Sequence, residues 1–196
     1  MKSVYNFVVT PKGERYNNKK KIGSSELILN TDIYNHKYVN REAVVISTPI
    51  ISDTDIKAGD TVITHHNVFR RWNNQYCIEK NSRSYFNEST YMITSDQIFL
   101  YKRNKKWIAP KGYCFIKPLK AIDQFNTDLE KPLQGIVKYS DGTVNVGDLI
   151  GYIPRTECEF MVDGERLYRV LSNLITIKYE YQGDEEEYNP SWAKSS

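Results

Sequence analysis

The sequence predicts an all-β protein built from two copies of one small unit, the first with a long additional loop. Three observations predict it. Tyr, Ile, Val and Thr recur in short alternating runs broken by Gly-Asp, Asn-Asn and Pro, the pattern of half-buried strands and tight turns. Helix formers are scarce, and alanine is rare. Four strand-and-turn blocks also occur twice in the same order, the signature of a duplicated unit.

The blocks can be taken in chain order. Tyr5-Asn6-Phe7-Val8-Val9 resembles Tyr113-Cys114-Phe115-Ile116-Lys117, and each reads as an entry strand. Ala43-Val44-Val45-Ile46 resembles Gly135-Ile136-Val137-Lys138 and reads as a second strand. Ile56 to Ile63 matches Val144 to Gly151, where Gly59-Asp60 and Gly147-Asp148 supply a tight turn before a new strand. Tyr91, Ile93, Ser95, Asp96, Ile98 and Leu100 fall in register with Tyr168, Val170, Ser172, Asn173, Ile175 and Ile177, giving strand, polar turn and strand.

The offsets between matching positions shrink along the chain: 108 at the entry strand, 92 at the second strand, 88 at the turn and 77 at the last block. The second copy is therefore expected to lack 16 residues between its first two strands and 11 after its Gly-Asp turn. The charged, Pro-containing stretch 104–111 reads as a linker between a unit at 1–103 and a unit at 112–181. Residues 182–196, opening on Gln182-Gly183-Asp184-Glu185-Glu186-Glu187, read as a solvated polar tail.

Composition narrows the class of protein. The net charge is only +3 with both signs interspersed, which does not suggest a nucleic-acid arm or a membrane surface domain. Cys77, Cys114 and Cys158 are odd in number and widely spaced, which argues against a disulfide scaffold or a thiolate zinc site and fits a reducing compartment. No apolar run reaches the roughly 18 residues of a membrane span, and the N-terminus has no signal-peptide core, so a cytoplasmic location is expected.

The longer of the two segments unique to the first copy, about 16–40, surrounds the adjacent aliphatics Leu27, Ile28 and Leu29 with a polar frame that includes Gly23, Ser24, Ser25, Glu26 and Asn30. Taken alone, Glu26 to Leu29 also fits an ordinary buried strand. A core strand should recur in both copies, however, and this is the region where the second copy is short. The tripeptide is thus better explained by a partner than by the core.

In their order, these blocks resemble the ten-kilodalton co-chaperonin family, best known from the bacterial chaperonin lid. The resemblance runs through Tyr5 to Lys102 with every block present and again through Gly112 to Tyr181 without the long loop. It implies two tandem small β-barrels, the first with a long mobile loop at about 16–40, that Leu27-Ile28-Leu29 inserts into a groove on a chaperonin apical domain, that several chains form a ring, and that the ring follows its partner's ATP cycle without a cofactor or an active site of its own. A seven-subunit partner implies seven chains, each giving one loop. The family's roof hairpin has only Ser47 to Asp55 and Tyr139 to Thr143 in its place, a departure similar to the lid proteins encoded by large tailed bacteriophages.

Other constellations suggest less. His65 and His66 adjoin a strand end, where neighbouring side chains should point to opposite faces, and no metal site is expected of them. No catalytic triad, carboxylate pair or phosphate loop stands out, so no enzyme is expected. Val68-Phe69-Arg70-Arg71-Trp72 and Lys102-Arg103-Asn104-Lys105-Lys106-Trp107 mix cations with aromatics, as single-strand-binding surfaces do. A nucleic-acid-binding barrel depending on Arg70, Arg71, Lys105 and Lys106 is one alternative, and a structural ring barrel of a virion is another.

Overall fold

The computed structural model describes residues 2–16, 19–23, 25–28, 38–121, 130–180, 183 and 185–190. The chain is all-β, with antiparallel sheets and, among the described residues, only short 3-10 turns between strands. It divides into two compact units, Met1–Lys106 and Trp107–Ser196.

Unit 1 holds β1 (Phe7–Pro11), β2 (Lys19–Ile22), β3 (Ser25–Ile28), β4 (Glu42–Ser47), β5 (Thr61–Thr64), β6 (Arg71–Asn73), β7 (Glu79–Asn81), β8 (Tyr85–Asn87), β9 (Thr90–Ile93) and β10 (Ile98–Arg103). Its main sheet runs β10-β5-β4-β1-β9-β8, while β2 with β3 and β6 with β7 form separate two-stranded ribbons. The stretch expected as a linker instead turns through Asn104 and Lys105, both at positive φ, into β11 (Lys106–Ile108), and the division between units falls inside that strand.

Unit 2 holds β12 (Tyr113–Lys120), β13 (Glu130–Tyr139), β14 (Leu149–Tyr152), β15 (Cys158–Val162), β16 (Glu165–Leu171) and β17 (Ile175–Tyr179), in the order β15-β16-β12-β13-β14-β17. Read from the other end, that is the order of unit 1. Among the described residues neither sheet closes on itself by pairing its end strands, so the expected barrels are open antiparallel sheets here.

Registers agree residue by residue. Val45 pairs with Val9 and Val137 with Ile116, and each pair follows a bulge, at Val8/Val9 in one unit and Phe115/Ile116 in the other. Tyr91 and Tyr168 sit opposite the same two residues, Val9 and Ile116. A second bulge falls at Ile98/Leu100 and again at Ile175/Ile177. These pairings correct the entry-strand offset from 108 to 107, because Val9 corresponds to Ile116. A one-residue slip exchanges the faces of a strand. Here it left no trace in the pattern, since Phe7, Val8 and Val9 are all buried, as are Cys114, Phe115 and Ile116.

The Gly-Asp turn is built identically in both units. Gly59 and Gly147 take φ of +91° and +93°, a region that costs a residue with a Cβ about 1–2 kcal/mol. Their N–H groups donate to the carbonyls of Val45 and Val137. The Asp60 carboxylate accepts the Lys57 N–H at 2.8 Å, and that of Asp148 accepts the Asn145 N–H at 3.0 Å. Arg103 reaches Asp60 at 2.6 Å, and Lys178 reaches Asp148 at 2.8 Å.

Burial opposes ionisation of Asp60, but the hydrogen bonds from Arg103 and the Lys57 N–H, with the charge of Arg103, hold its pKa below the ordinary 3.8. A lowered folded pKa contributes stability that is present above the unfolded value and lost as pH falls through the folded one. Asp60→Asn should therefore cost about 1–3 kcal/mol at pH 7, the worth of hydrogen bonds to a charged group. The gap from wild type should close below about pH 4, a result that thermal melts between pH 7 and pH 2.5 would check. A gap unchanged at low pH would remove the charge from this account.

The acidic tail is also corrected. Leu119 forms an antiparallel bridge to Glu187, the Lys120 N–H donates to the Glu186 carbonyl at 2.9 Å, and the Tyr188 N–H donates to the Pro118 carbonyl at 2.8 Å. Lys117, Lys120 and Lys131 pair with Glu187, Glu186 and Glu185. Residues 186–188 of the expected tail thus lie along β12 instead of standing free in solvent, while 182, 184 and 191–196 lie outside the described residues.

Candidate functional site: the excursion between β1 and β4

Beyond Pro11 the chain of unit 1 leaves its sheet and returns at β4. Asn40 holds the two limbs together at the base. Its Nδ2 donates to the carbonyls of Lys12 at 3.0 Å and Glu14 at 2.8 Å, its Oδ1 accepts the Glu42 N–H, and its own N–H donates to the Arg15 carbonyl. Tyr16 then bridges to Val39 in antiparallel fashion, both buried. Of the residues numbered between them, 19–23 and 25–28 are described.

The described part of the projection is a ribbon. Lys19 pairs with Ile28, Lys20 with Leu27, Lys21 with Glu26 and Ile22 with Ser25. Gly23, at φ +61°, opens the turn, as short hairpin connections require. The ribbon pairs with no strand of the main sheet. Leu27 is 51% exposed, so a large aliphatic side chain stands in solvent at the middle of β3. Ser25 is exposed beside it. Ile28 ends β3, and Glu26 lies within it. Leu29, Ser24 and Asn30 lie outside the described residues.

The expected flexible frame is thus partly a hairpin, and of the residues the ordinary-strand alternative takes, Glu26, Leu27 and Ile28 are paired while Leu27 is exposed. In unit 2 the equivalent limbs are closed by Lys120 opposite Glu130. The connection there is fifteen residues shorter, from offsets of 107 at Val9 to Ile116 and 92 at Val45 to Val137.

The second segment peculiar to unit 1, between β5 and β8, contains the β6–β7 ribbon. Val68 and Phe69 are fully buried, and Phe69 meets Tyr91 edge to face at 4.7 Å. Burial pushes the Tyr91 hydroxyl up to about 12. Arg15 lies 5.5 Å from both the Tyr85 and Tyr91 rings, and its Nε donates to the Phe69 carbonyl at 3.2 Å. Arg71 sits over the Tyr16 ring at 5.1 Å and pairs with Glu79. The Tyr16 hydroxyl accepts the Arg71 N–H at 2.7 Å and faces the Arg71 carbonyl at 3.4 Å.

This geometry bears on the single-strand-binding alternative. Stacking needs an open ring face, yet Phe69 is buried and Trp107 is only 8% exposed, with its Nε1 donating to Asp163 at 2.8 Å. Trp72 is exposed, as are Lys105 and Lys106, and Arg70 is half-buried.

The two histidines depart from expectation as well. Their rings lie 4.2 Å apart, tilted by 32°, because β5 ends at Thr64 and strand alternation stops there. His65 Nδ1 accepts the Asn67 N–H, and its ring meets Phe99 edge-on. Among the described residues no group of three or more His, Cys, Asp or Glu is placed to hold a metal. No helix among them is long and apolar enough to cross a membrane.

Where the roof hairpin would stand, Pro49 bridges to Ser3, and Tyr5, Ile50 and Ile51 are exposed. Sequence reasoning missed Arg15, Tyr16 and Asn40, and it named Arg71 only for nucleic-acid contact, not for the contact it makes with Tyr16. Their one available signal was that Tyr16 and Arg71 both fall in segments the second copy lacks.

Compared with models of known protein families and with curated proteins, the chain matches none.

Proposed function

We propose that this chain is a co-chaperonin, with two co-chaperonin-like units of which the first grips a chaperonin through Leu27, Ile28 and Leu29 and helps enclose a chamber for ATP-dependent folding. One observation carries the reading. Two units with the same strand order and register differ by an excursion, and that excursion presents an exposed leucine the fold of unit 2 does without.

Energetics favour a transient grip. Burying three aliphatic side chains contributes roughly 1.5–3 kcal/mol each, while ordering about ten residues costs on the order of 10 kcal/mol. A single loop binds weakly. Several loops on one ring bind by effective concentration, and any change that weakens all of them together releases the lid. A heptamer matches a seven-subunit partner, in the host cytoplasm if the chain is viral.

The test uses the full chain as bait with a purified bacterial chaperonin in ATP, in ADP and without nucleotide, followed by native mass measurement of bait and complex. Nucleotide-dependent capture and a ring of bait are expected. A monomeric bait that ignores chaperonin in all three conditions, yet binds oligonucleotide with a steep salt dependence, would replace this reading with the nucleic-acid one.

A further inference from the structure

The two segments that unit 2 lacks are joined to each other at the foot of the excursion. Tyr16, on the outgoing limb ahead of β2, is bonded through its hydroxyl to the backbone of Arg71 on β6 and lies under the Arg71 guanidinium. Its neighbour Arg15 donates to the Phe69 carbonyl and is packed against Tyr85 and Tyr91. Glu79, across the β6–β7 ribbon, pairs with Arg71. Two segments that unit 2 does without thus share one set of contacts in unit 1.

From this juxtaposition we infer that the β6–β7 ribbon is a brace for the β2–β3 ribbon, and that Tyr16 and Arg71 are positioning residues which set the base from which Leu27 is presented. The inference rests on the co-chaperonin reading for its purpose, though not for its geometry. A pinned base limits the positions the ribbon takes before a partner is met, so less freedom is lost on binding. With the base loosened each loop pays more, and on a ring that loss multiplies across every engaged loop.

The arrangement is also specific. The Tyr16 hydroxyl is held by a main-chain N–H and C=O, so the contact depends on where β6 lies and not on the identity of its side chains. Asn40, on the return limb, ties it to the outgoing limb through two main-chain carbonyls, those of Lys12 and Glu14. The foot of the excursion is therefore held from two sides, by the brace and by Asn40.

Tyr16→Phe keeps the ring under Arg71 and removes only the hydroxyl, and Arg71→Ala removes the guanidinium while leaving the backbone contact. Hydrogen exchange is followed at the amides of β2 and β3, with β4–β5 and β12–β13 as internal references, and dissociation from a purified bacterial chaperonin with ATP is timed for each full-length variant. We expect exchange at β2–β3 to rise at least fivefold in Tyr16→Phe with the reference strands unchanged, and dissociation to quicken at least tenfold. Unchanged exchange at β2–β3 would overturn the brace whatever the chaperonin does. Faster exchange with unchanged dissociation would overturn its role in presentation. A wild-type chain that never binds chaperonin sinks the functional reading and the positioning role with it, and exchange alone then decides the brace. Should Tyr16→Phe unsettle the reference strands too, Glu79→Gln, which loosens Arg71 from the far side of its ribbon, is the variant that decides.

Discussion

Replacing Leu27, Ile28 and Leu29 together with serine should abolish nucleotide-dependent capture by a chaperonin while leaving the oligomer at its wild-type mass. Each aliphatic contributes roughly 1.5–3 kcal/mol when fully buried against a partner, so the triple change removes several kcal/mol per loop. About 1.4 kcal/mol is a factor of ten in affinity. A single loop then loses at least a thousandfold by this estimate, and a ring that binds through several loops loses its grip altogether. The fold should tolerate the change. Leu27 is already half in solvent, and the β2–β3 ribbon pairs with no strand of the main sheet. Capture is read by pull-down and mass by native mass spectrometry, with a melt to confirm that the midpoint stays within about 2 °C, as a surface substitution allows. A triple variant captured as well as wild type would remove the tripeptide from the interface.

The strands were legible because their composition and turn chemistry repeat, and the Gly-Asp turns were legible because a positive φ and a carboxylate bound to a main-chain N–H need those residues in that order. Register at the entry strand was not. Three buried residues in succession carry no alternation, and the match of Phe7 with Phe115 outweighed the one that holds in the fold. Pro11 and Pro118, which coincide at the offset of 107, were the signal that would have settled it. Whether end strands pair to close a barrel is a property of twist and separation that block order does not encode.

The tail was misread because its cations are scattered over β12 and β13, far from the acidic run they meet. At the site, Leu27 was legible from contrast between the copies. Tyr16 and Arg71 were not, because they lie 55 residues apart in the chain and the key bond goes to main-chain atoms of Arg71, whose side-chain identity has no part in it.

The same contrast between the units leads to the largest effect expected on stability. In unit 2, Phe160 on the end strand β15 meets Phe115 edge to face at 5.5 Å, and both are fully buried. In unit 1 the corresponding end strand, β8, exposes Phe86 and Asn87 and brings only the half-buried Tyr85 to Tyr91, at 5.6 Å, while the fully buried partner of Tyr91, Phe69, comes from the second insertion. The insertion thus both braces the excursion and supplies core that unit 2 takes from β15.

Phe160→Ala should accordingly cost unit 2 about 3–5 kcal/mol, the range for a buried phenylalanine cut to alanine, including the aromatic contact. Against a total of roughly 5–10 kcal/mol for a unit of this size, that leaves it barely folded. The midpoint for unit 2 should fall by about 15 °C or more, and amides of β12, β15 and β16 should lose protection together. Phe160→Leu, which keeps most of the volume, should cost about 1–2 kcal/mol. Phe69→Ala should be comparably severe in unit 1, and it should also quicken exchange at β2–β3, because the Phe69 carbonyl is what Arg15 holds. A Phe160→Ala chain that melts within a few degrees of wild type, with β12 and β16 still protected, would show that the β15 edge lies outside the cooperative core and that the two units do not substitute one aromatic source for another.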